Sequence, residues 1–239
     1  MSRIAIDIET TGLNPWEDRV VTACIKDVGG SGLSFDEPED ERKLLWSLGE
    51  SIQSVGYGSL LIGWNHTEFD LPFLAVRYAL WGIGYMGPTT KPTGKLGKYG
   101  KPTHWGDWFG AMYKDVAPDW EAYAEAQGIR WGLKPVAGHL FKEQPKVVDF
   151  SRGVPTGEVG PCKHPRDFGG NEHEYDPVTR PFTILDMDRQ ERIDYCMSDV
   201  DLVLRLYGHW SHPAQVKGQA VLAKPITILR DAAPHPGNG

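Results

Sequence analysis

Ile4-Ala5-Ile6-Asp7-Ile8-Glu9-Thr10-Thr11-Gly12-Leu13 decides how the rest of the chain is read. Its first half is a short apolar run rich in β-branched residues, the pattern of a buried strand. Two carboxylates interrupt that run where more isoleucine would be expected. Side chains alternate across a strand, so Asp7 and Glu9 share one face while Ile6 and Ile8 share the other. Like charges about 5 Å apart at an effective dielectric of about 20 repel by roughly 3 kcal/mol, and in a sheet centre both groups also lose hydration. A chain sustains this only with compensation, and a divalent cation is the usual source.

Working outward, Thr11-Gly12-Leu13-Asn14-Pro15 reads as a turn. Arg19 to Lys26 is apolar and β-branched and should pair with the first strand, and Gly29 to Phe35 allows a third. From Pro38, PEDERKLLWSLGESIQSV carries acids in its first turn and Leu44, Leu45, Leu48 and Ile52 at helical spacing, which makes an amphipathic helix. Ser59 to Asn65 is strand-like again, and Thr67 to Ile83 helical. Three antiparallel strands, a helix, a strand and a helix predict an α/β fold with a mixed sheet covered by helices.

The later chain is less regular. Residues 86–103, MGPTTKPTGKLGKYGKPT, are rich in Gly, Pro and Lys without apolar periodicity and read as a loop insertion. Its Lys91, Lys95, Lys98, Lys101 and Tyr99 could follow a phosphate backbone and stack a base, or simply form a solvated surface. Helical segments are expected around Trp108 to Tyr113, with Asp107 as a cap or else near the site at the edge of the sheet, and from Asp119 to Gln127. Gly132 to Phe141 follows, with Pro135 near a helix start. Residues 145–185 form a second irregular insertion; its Cys162, His164 and His173 match no zinc-ligand spacing. From Asp188, DRQERIDYCMSDVDLVLRLYGHW is a long helix. One domain over residues 1–210 is expected, followed by a weakly structured tail, 211–239.

Composition narrows the function classes. A content of 40% hydrophobic and 24% charged residues is that of an ordinary globular chain. No apolar run approaches the roughly 20 residues that span a bilayer, and the N-terminus lacks a signal-peptide pattern. The expectation is a soluble, cytoplasmic protein with no membrane partner. Three widely spaced cysteines imply no disulfide framework. A net charge of −7 argues against bulk electrostatic binding to duplex DNA. It leaves room for a nuclease, because acids that bind metal contribute to the total and the bound metal reverses the local sign.

Two further acidic elements join the first. Ile62 to Leu74 runs off a strand into a helix and carries Asn65, Phe69 and Asp70. Tyr195-Cys196-Met197-Ser198-Asp199 places a tyrosine and an aspartate four apart on one helix face. Leu202 and Leu206 extend that stripe, so both should face inward. His66 and Glu68 read as solvent-facing, Asp201 as structural, and the nine tryptophans as packing residues.

Taken in order, these elements resemble the DEDD 3′–5′ exonucleases of the ribonuclease H-like superfamily, most closely the proofreading domain of family B DNA polymerases. Asp7-Ile8-Glu9-Thr10 resembles the first exonuclease motif, Asn65-x-x-x-Phe69-Asp70 the second, and Tyr195-x-x-x-Asp199 the third. The tyrosine spacing marks the "y" subgroup; the histidine of the "h" subgroup would fall at Asp194. Gly132-Leu133-Lys134-Pro135-Val136-Ala137 resembles the intervening Ser/Thr-Leu-x-x-hydrophobic segment but departs from it at Gly132. The likeness covers roughly Ile4 to Leu206, without the insertions and the tail, and reads as a free-standing exonuclease.

The resemblance implies two Mg²⁺ or Mn²⁺ ions about 3.5–4 Å apart, held by hard carboxylate oxygens. Asp7 would bridge them, Glu9 and Asp199 would hold the ion that activates water, and Asp70 would serve the other. Tyr195 would orient the attacking water. Thr10 and Asn65 would contact the terminal nucleotides, Leu13 and Phe69 would wedge against the unpaired end, and Leu133 would join the substrate contacts. The implied activity releases nucleoside 5′-monophosphates from single-stranded DNA 3′ ends, with a separate polymerase or other replication proteins as possible partners. Rival readings are an exoribonuclease of the same fold and a non-catalytic nucleic-acid-binding or accessory module.

Overall fold

The opening strand, β1 (Arg3–Thr10), lies inside a six-stranded mixed sheet. The computed structural model describes residues 2–55, 57–96, 100, 102–145, 147–162 and 175–211. β1 pairs antiparallel with β2 (Val20–Asp27), and β2 antiparallel with the edge strand β3 (Gly32–Asp36). After α1 (Glu41–Val55), β4 (Leu60–Gly63) lies parallel to β1 on its other side. α2 (Asp70–Leu80) follows, and then a hairpin of β5 (Lys91–Leu96) and β6 (Pro102–Trp105) that stands apart from the sheet. β7 (Asp107–Trp108) and β8 (Ala111–Asp115) rejoin the sheet, with β8 parallel to β4. Next come α3 (Ala117–Gln127), α4 (Leu133–Phe141), a hairpin of β9 (Gly153–Cys162) and β10 (Tyr175–Pro181), and α5 (Arg189–Ser211). The order β3-β2-β1-β4-β8-β7, with its first three strands antiparallel, is the ribonuclease H-like mixed sheet expected. No helix among the described residues is long and apolar enough to cross a membrane.

The period-two alternation of β1 splits the core. Ile4, Ile6 and Ile8 bury against Leu44, Leu48, Leu71 and Phe73 of α1 and α2. Ala5 faces the other way and packs with Cys24, Trp120, Val136, Val200 and Val203, under α3, α4 and α5. Asp7 and Glu9 follow Ala5 onto this second face. Here α5 comes close enough for the Cys196 thiol to donate to the Asp7 carbonyl at 3.4 Å.

Four expectations need correction. Residues 108–113 form a β-hairpin, because Phe109 (φ 50°) and Gly110 (φ 79°) are both left-handed, as a two-residue turn requires. Asp107 caps no helix; its carboxylate accepts from the Gly110 amide at 3.2 Å. The insertions at 86–103 and 145–185 each contain a hairpin, and β5 is exposed along its whole length, so no apolar alternation marked it. His66 and Glu68 are buried. Gly63 makes room for the His66 ring, since a Cβ at Gly63 would stand 2.5 Å from it. His164 and His173, the Cys162 side chain and residues 212–239 lie outside the described residues.

Candidate active site

β1 outruns its neighbour, and this opens the site. Its parallel pairing with β4 ends at Ala5–Ile62. Beyond that point the Ile8 amide lacks a partner on β4, and it donates instead to the Asp70 carboxylate at 3.3 Å. Asp70 is the first residue of α2, so its own amide also supports the carboxylate. Burial nevertheless raises its pKa to about 7 against those two amides.

The other acids are shifted the same way. Burial pushes Glu9 up to about 8, with Asp199 adding repulsion and Lys134 opposing. Asp7 rises well above the usual carboxylate range, first through burial and then through the charges of Glu9, Asp199 and Asp70. Asp199 is raised by burial, while Lys134 pulls it back. Four carboxylates from β1, α2 and α5 therefore share one electrostatic environment that lacks enough positive charge. One carboxylate oxygen each from Asp7 and Glu9 lies with the Cys196 sulfur in a group within 4.8 Å that could hold a metal ion. The donor set in the acids is hard oxygen and the missing quantity is positive charge, so Mg²⁺ or Mn²⁺ fits these residues.

Lys134 is the site residue that sequence reading quoted without giving it a role. Its ammonium stands 3.1 Å from Asp199 Oδ1 and 3.6 Å from the centroid of the Tyr195 ring. It is the second residue of α4, whose entry is set by Gly132 at φ 146°. That conformation suits glycine, which accounts for the absent Ser or Thr at this position. The signal lay in the segment itself, where a lysine in the first turn of a helix opposes the dipole and needs an acidic partner. Phe150 meets the Tyr195 ring edge-on at 6.1 Å. Burial and then the charges of Glu9, Asp199 and Asp7 hold the Tyr195 phenol above its ordinary pKa.

Asp115 is a second site residue that no motif in the sequence marks. Asp115, at the end of β8, accepts from the Asn65 amide (2.8 Å), the Thr67 hydroxyl (2.7 Å) and the Ala117 amide (3.0 Å). It holds the loop before Asp70, in which Asn65 is left-handed at φ 59°. The Asp-Val-Ala-Pro sequence is a helix-start signal, obscured by the helix expected just upstream.

The candidate substrate residues divide. Leu13 is 73% exposed and, with Phe69, lines an apolar slot of about 210 Å³ beside Pro72, Phe73 and His104. Asn65 lines a separate hollow across the same loop. The Thr10 hydroxyl donates to the Gly12 carbonyl at 2.6 Å. Leu133 lies apart from these, partly buried against the core under α3–α5.

No protein-family model matches the chain. It is 38% identical to an uncharacterized protein of Methanocaldococcus jannaschii over 77 residues, 32% of this chain and 42% of that protein. Among solved structures it is similar to the family B DNA polymerase of the hyperthermophilic archaeon Pyrobaculum calidifontis. That match has TM-score 0.43 and 20% identity, and spans 59% of this chain and 18% of the polymerase. The match thus spans less than half the length of either of these proteins.

Proposed function

We propose that the chain is a metal-dependent 3′–5′ exonuclease that trims single-stranded DNA. The observation that carries this reading is the convergence of Asp7, Glu9, Asp70 and Asp199 on one undercompensated spot beside Tyr195 and Lys134. Asp7, Glu9 and Asp199 would hold one divalent cation, and Asp7 with Asp70 a second. Bound there, such ions make hydroxide available near neutral pH and neutralise charge on the leaving oxygen.

The chain's own groups supply the rest. Tyr195 keeps its proton, so it orients water by hydrogen bonding and does not act as a base. Lys134, which here offsets Asp199, is placed to bind a non-bridging phosphate oxygen. The slot of Leu13 and Phe69 takes an unpaired base by apolar contact, tolerant of its identity. Water oxygen bonds to phosphorus, the P–O3′ bond breaks, and a nucleoside 5′-monophosphate leaves a new 3′-hydroxyl on the strand.

The test is digestion of 5′-labelled single-stranded DNA, matched RNA and duplex DNA with Mg²⁺ or Mn²⁺. A ladder shortening from the 3′ end, fastest on single-stranded DNA and abolished by chelation, is expected. Equal or faster loss of RNA would overturn the choice of DNA, and no metal-dependent trimming of any strand would overturn the activity.

A further inference from the structure

The β5–β6 hairpin folds back onto the loop that delivers Asp70. The His104 amide donates to the Thr67 carbonyl at 3.0 Å, and His104 Nδ1 lies 3.2 Å from the same oxygen. Two hollows flank this contact. One is the apolar slot of Leu13 and Phe69. The other, about 420 Å³, lies between Asn65 and Thr67 of the loop, Thr93 and Lys95 of the hairpin, and Trp131. Its size falls within the roughly 300–1,000 Å³ of small-molecule sites.

We propose that this second hollow seats a nucleotide of the substrate strand upstream of the 3′ end, so that the hairpin lengthens the strand-binding surface. The inference rests on the exonuclease reading and names a subsite that reading does not require. Continuity with the reaction centre is the first support. Asn65, five residues before Asp70, lines the hollow, and so does the Asp115 carboxylate that fixes Asn65 and Thr67.

Charge is the second support. The chain carries a net −7, yet residues 91–105 contain four lysines and no carboxylate. Of these, Lys91 and Lys95 stand on the exposed strand β5. Glu68, Glu121 and Asp115, the last already engaged by Asn65, Thr67 and Ala117, line other walls of the hollow. Phosphates of the strand would therefore run on the Lys95 side, away from these acids.

The third support is what the hairpin exposes. Among the described residues β5 and β6 pair only with each other, so little of the hairpin chemistry serves a core. Leu96 is 70% and Trp105 57% exposed, and the Lys91 ammonium lies 5.4 Å from the Trp105 ring centroid. Basic side chains interleaved with apolar and aromatic faces are the means by which single strands are held without regard to sequence.

Lys95→Glu tests this on a solvent-exposed strand, where folding is not at stake. KM would be measured on DNA strands of two, three and eight nucleotides, and binding of a labelled octamer measured against salt in an Asp7→Asn background. The wild type should favour the octamer, and Lys95→Glu should narrow that advantage by on the order of tenfold. The log–log salt slope should flatten by about 0.7 for the lost phosphate contact. Wild-type trimming with an unchanged length preference and salt slope in Lys95→Glu would overturn the subsite and leave the exonuclease reading standing. Failure of the wild type to trim any strand would remove both.

Discussion

Two regions of this molecule bury carboxylates, and they treat them in opposite ways. Asp36, on β3, accepts from both Arg192 Nε and Nη2 at 2.8 Å and from the Thr22 hydroxyl. Burial would raise its pKa, but these bonds win and hold it below the usual range. Glu41 likewise accepts from the Val20 amide, the Arg77 guanidinium and the Trp81 indole. At the candidate site, Lys134 opposes the shift of Glu9 and Asp199 alone, and the pKa values of all four carboxylates move up. A fold that can supply a bidentate arginine to Asp36 has withheld one from Asp7. A buried acid that is matched within the chain serves the fold, whereas one left unmatched points to a partner from outside it.

The largest expected effect lies on activity at the unmatched cluster. Asp7→Asn should lower trimming by roughly 10³-fold or more, measured as release of 3′-terminal nucleotide. The same change removes repulsion, so without metal the variant should melt no lower than the wild type at pH 8. A matched acid should behave in the opposite sense. Arg192→Ala removes both guanidinium bonds from the buried Asp36 and leaves it only the Thr22 hydroxyl and the exposed Arg189 at 3.8 Å, which should destabilise by about 3 kcal/mol, read by urea denaturation. If both substitutions shifted stability in the same direction, the contrast between the two regions would be lost.

Smaller effects sharpen the contrast. Tyr195→Phe should slow turnover by about 10²-fold while leaving the Mg²⁺ concentration for half-activity unchanged; a full rate would remove the phenol from the mechanism. The least effect is in pH dependence. Without metal, Asp70 and Glu9 bind protons up to about 7 and about 8 when folded, well above their ordinary values. The folded state then binds more protons than the unfolded state, so stability contributed by these groups is fully present below about pH 4 and lost as pH rises through 7 to 8. Thermal scans should show the metal-free melting point falling over that window. Mg²⁺ or Mn²⁺ should restore it by several degrees at pH 8, about 2–4 °C per kcal/mol for a chain of this size, and far less at pH 5. A Glu9→Gln variant should flatten the fall.

The elements that read clearly from sequence are those whose pattern is local. β1, with Ile4, Ile6 and Ile8 on one face, and α5, carrying Tyr195 and Asp199, have periodicities that a window of residues contains. The hairpins did not read, for three different reasons. Trp108 and Ala111 looked helical because the left-handed turn at Phe109 and Gly110 leaves no composition mark beyond one glycine. β5 and β6 are exposed and rich in polar residues, so no alternation distinguishes them from a loop. In β9 and β10 the proline and glycine content outweighed the strand pattern. His66 misled through its polarity, because the space for its ring comes from Gly63.

Sequence by itself determined that Asp7 and Glu9 share a strand face, that Asp70 lies in the opening turn of a helix, and that Tyr195 and Asp199 lie one turn apart. Those relations depend only on the two- and 3.6-residue periods of the backbone. Tertiary structure alone decided that Lys134 stands between Asp199 and the Tyr195 ring, that Asp115 fastens the loop before Asp70, and that Ile8 offers Asp70 an amide. Each of these joins residues dozens of positions apart. Their meeting follows from where β1 outruns β4 and how closely α4 and α5 pack on the sheet, distances that no local period encodes.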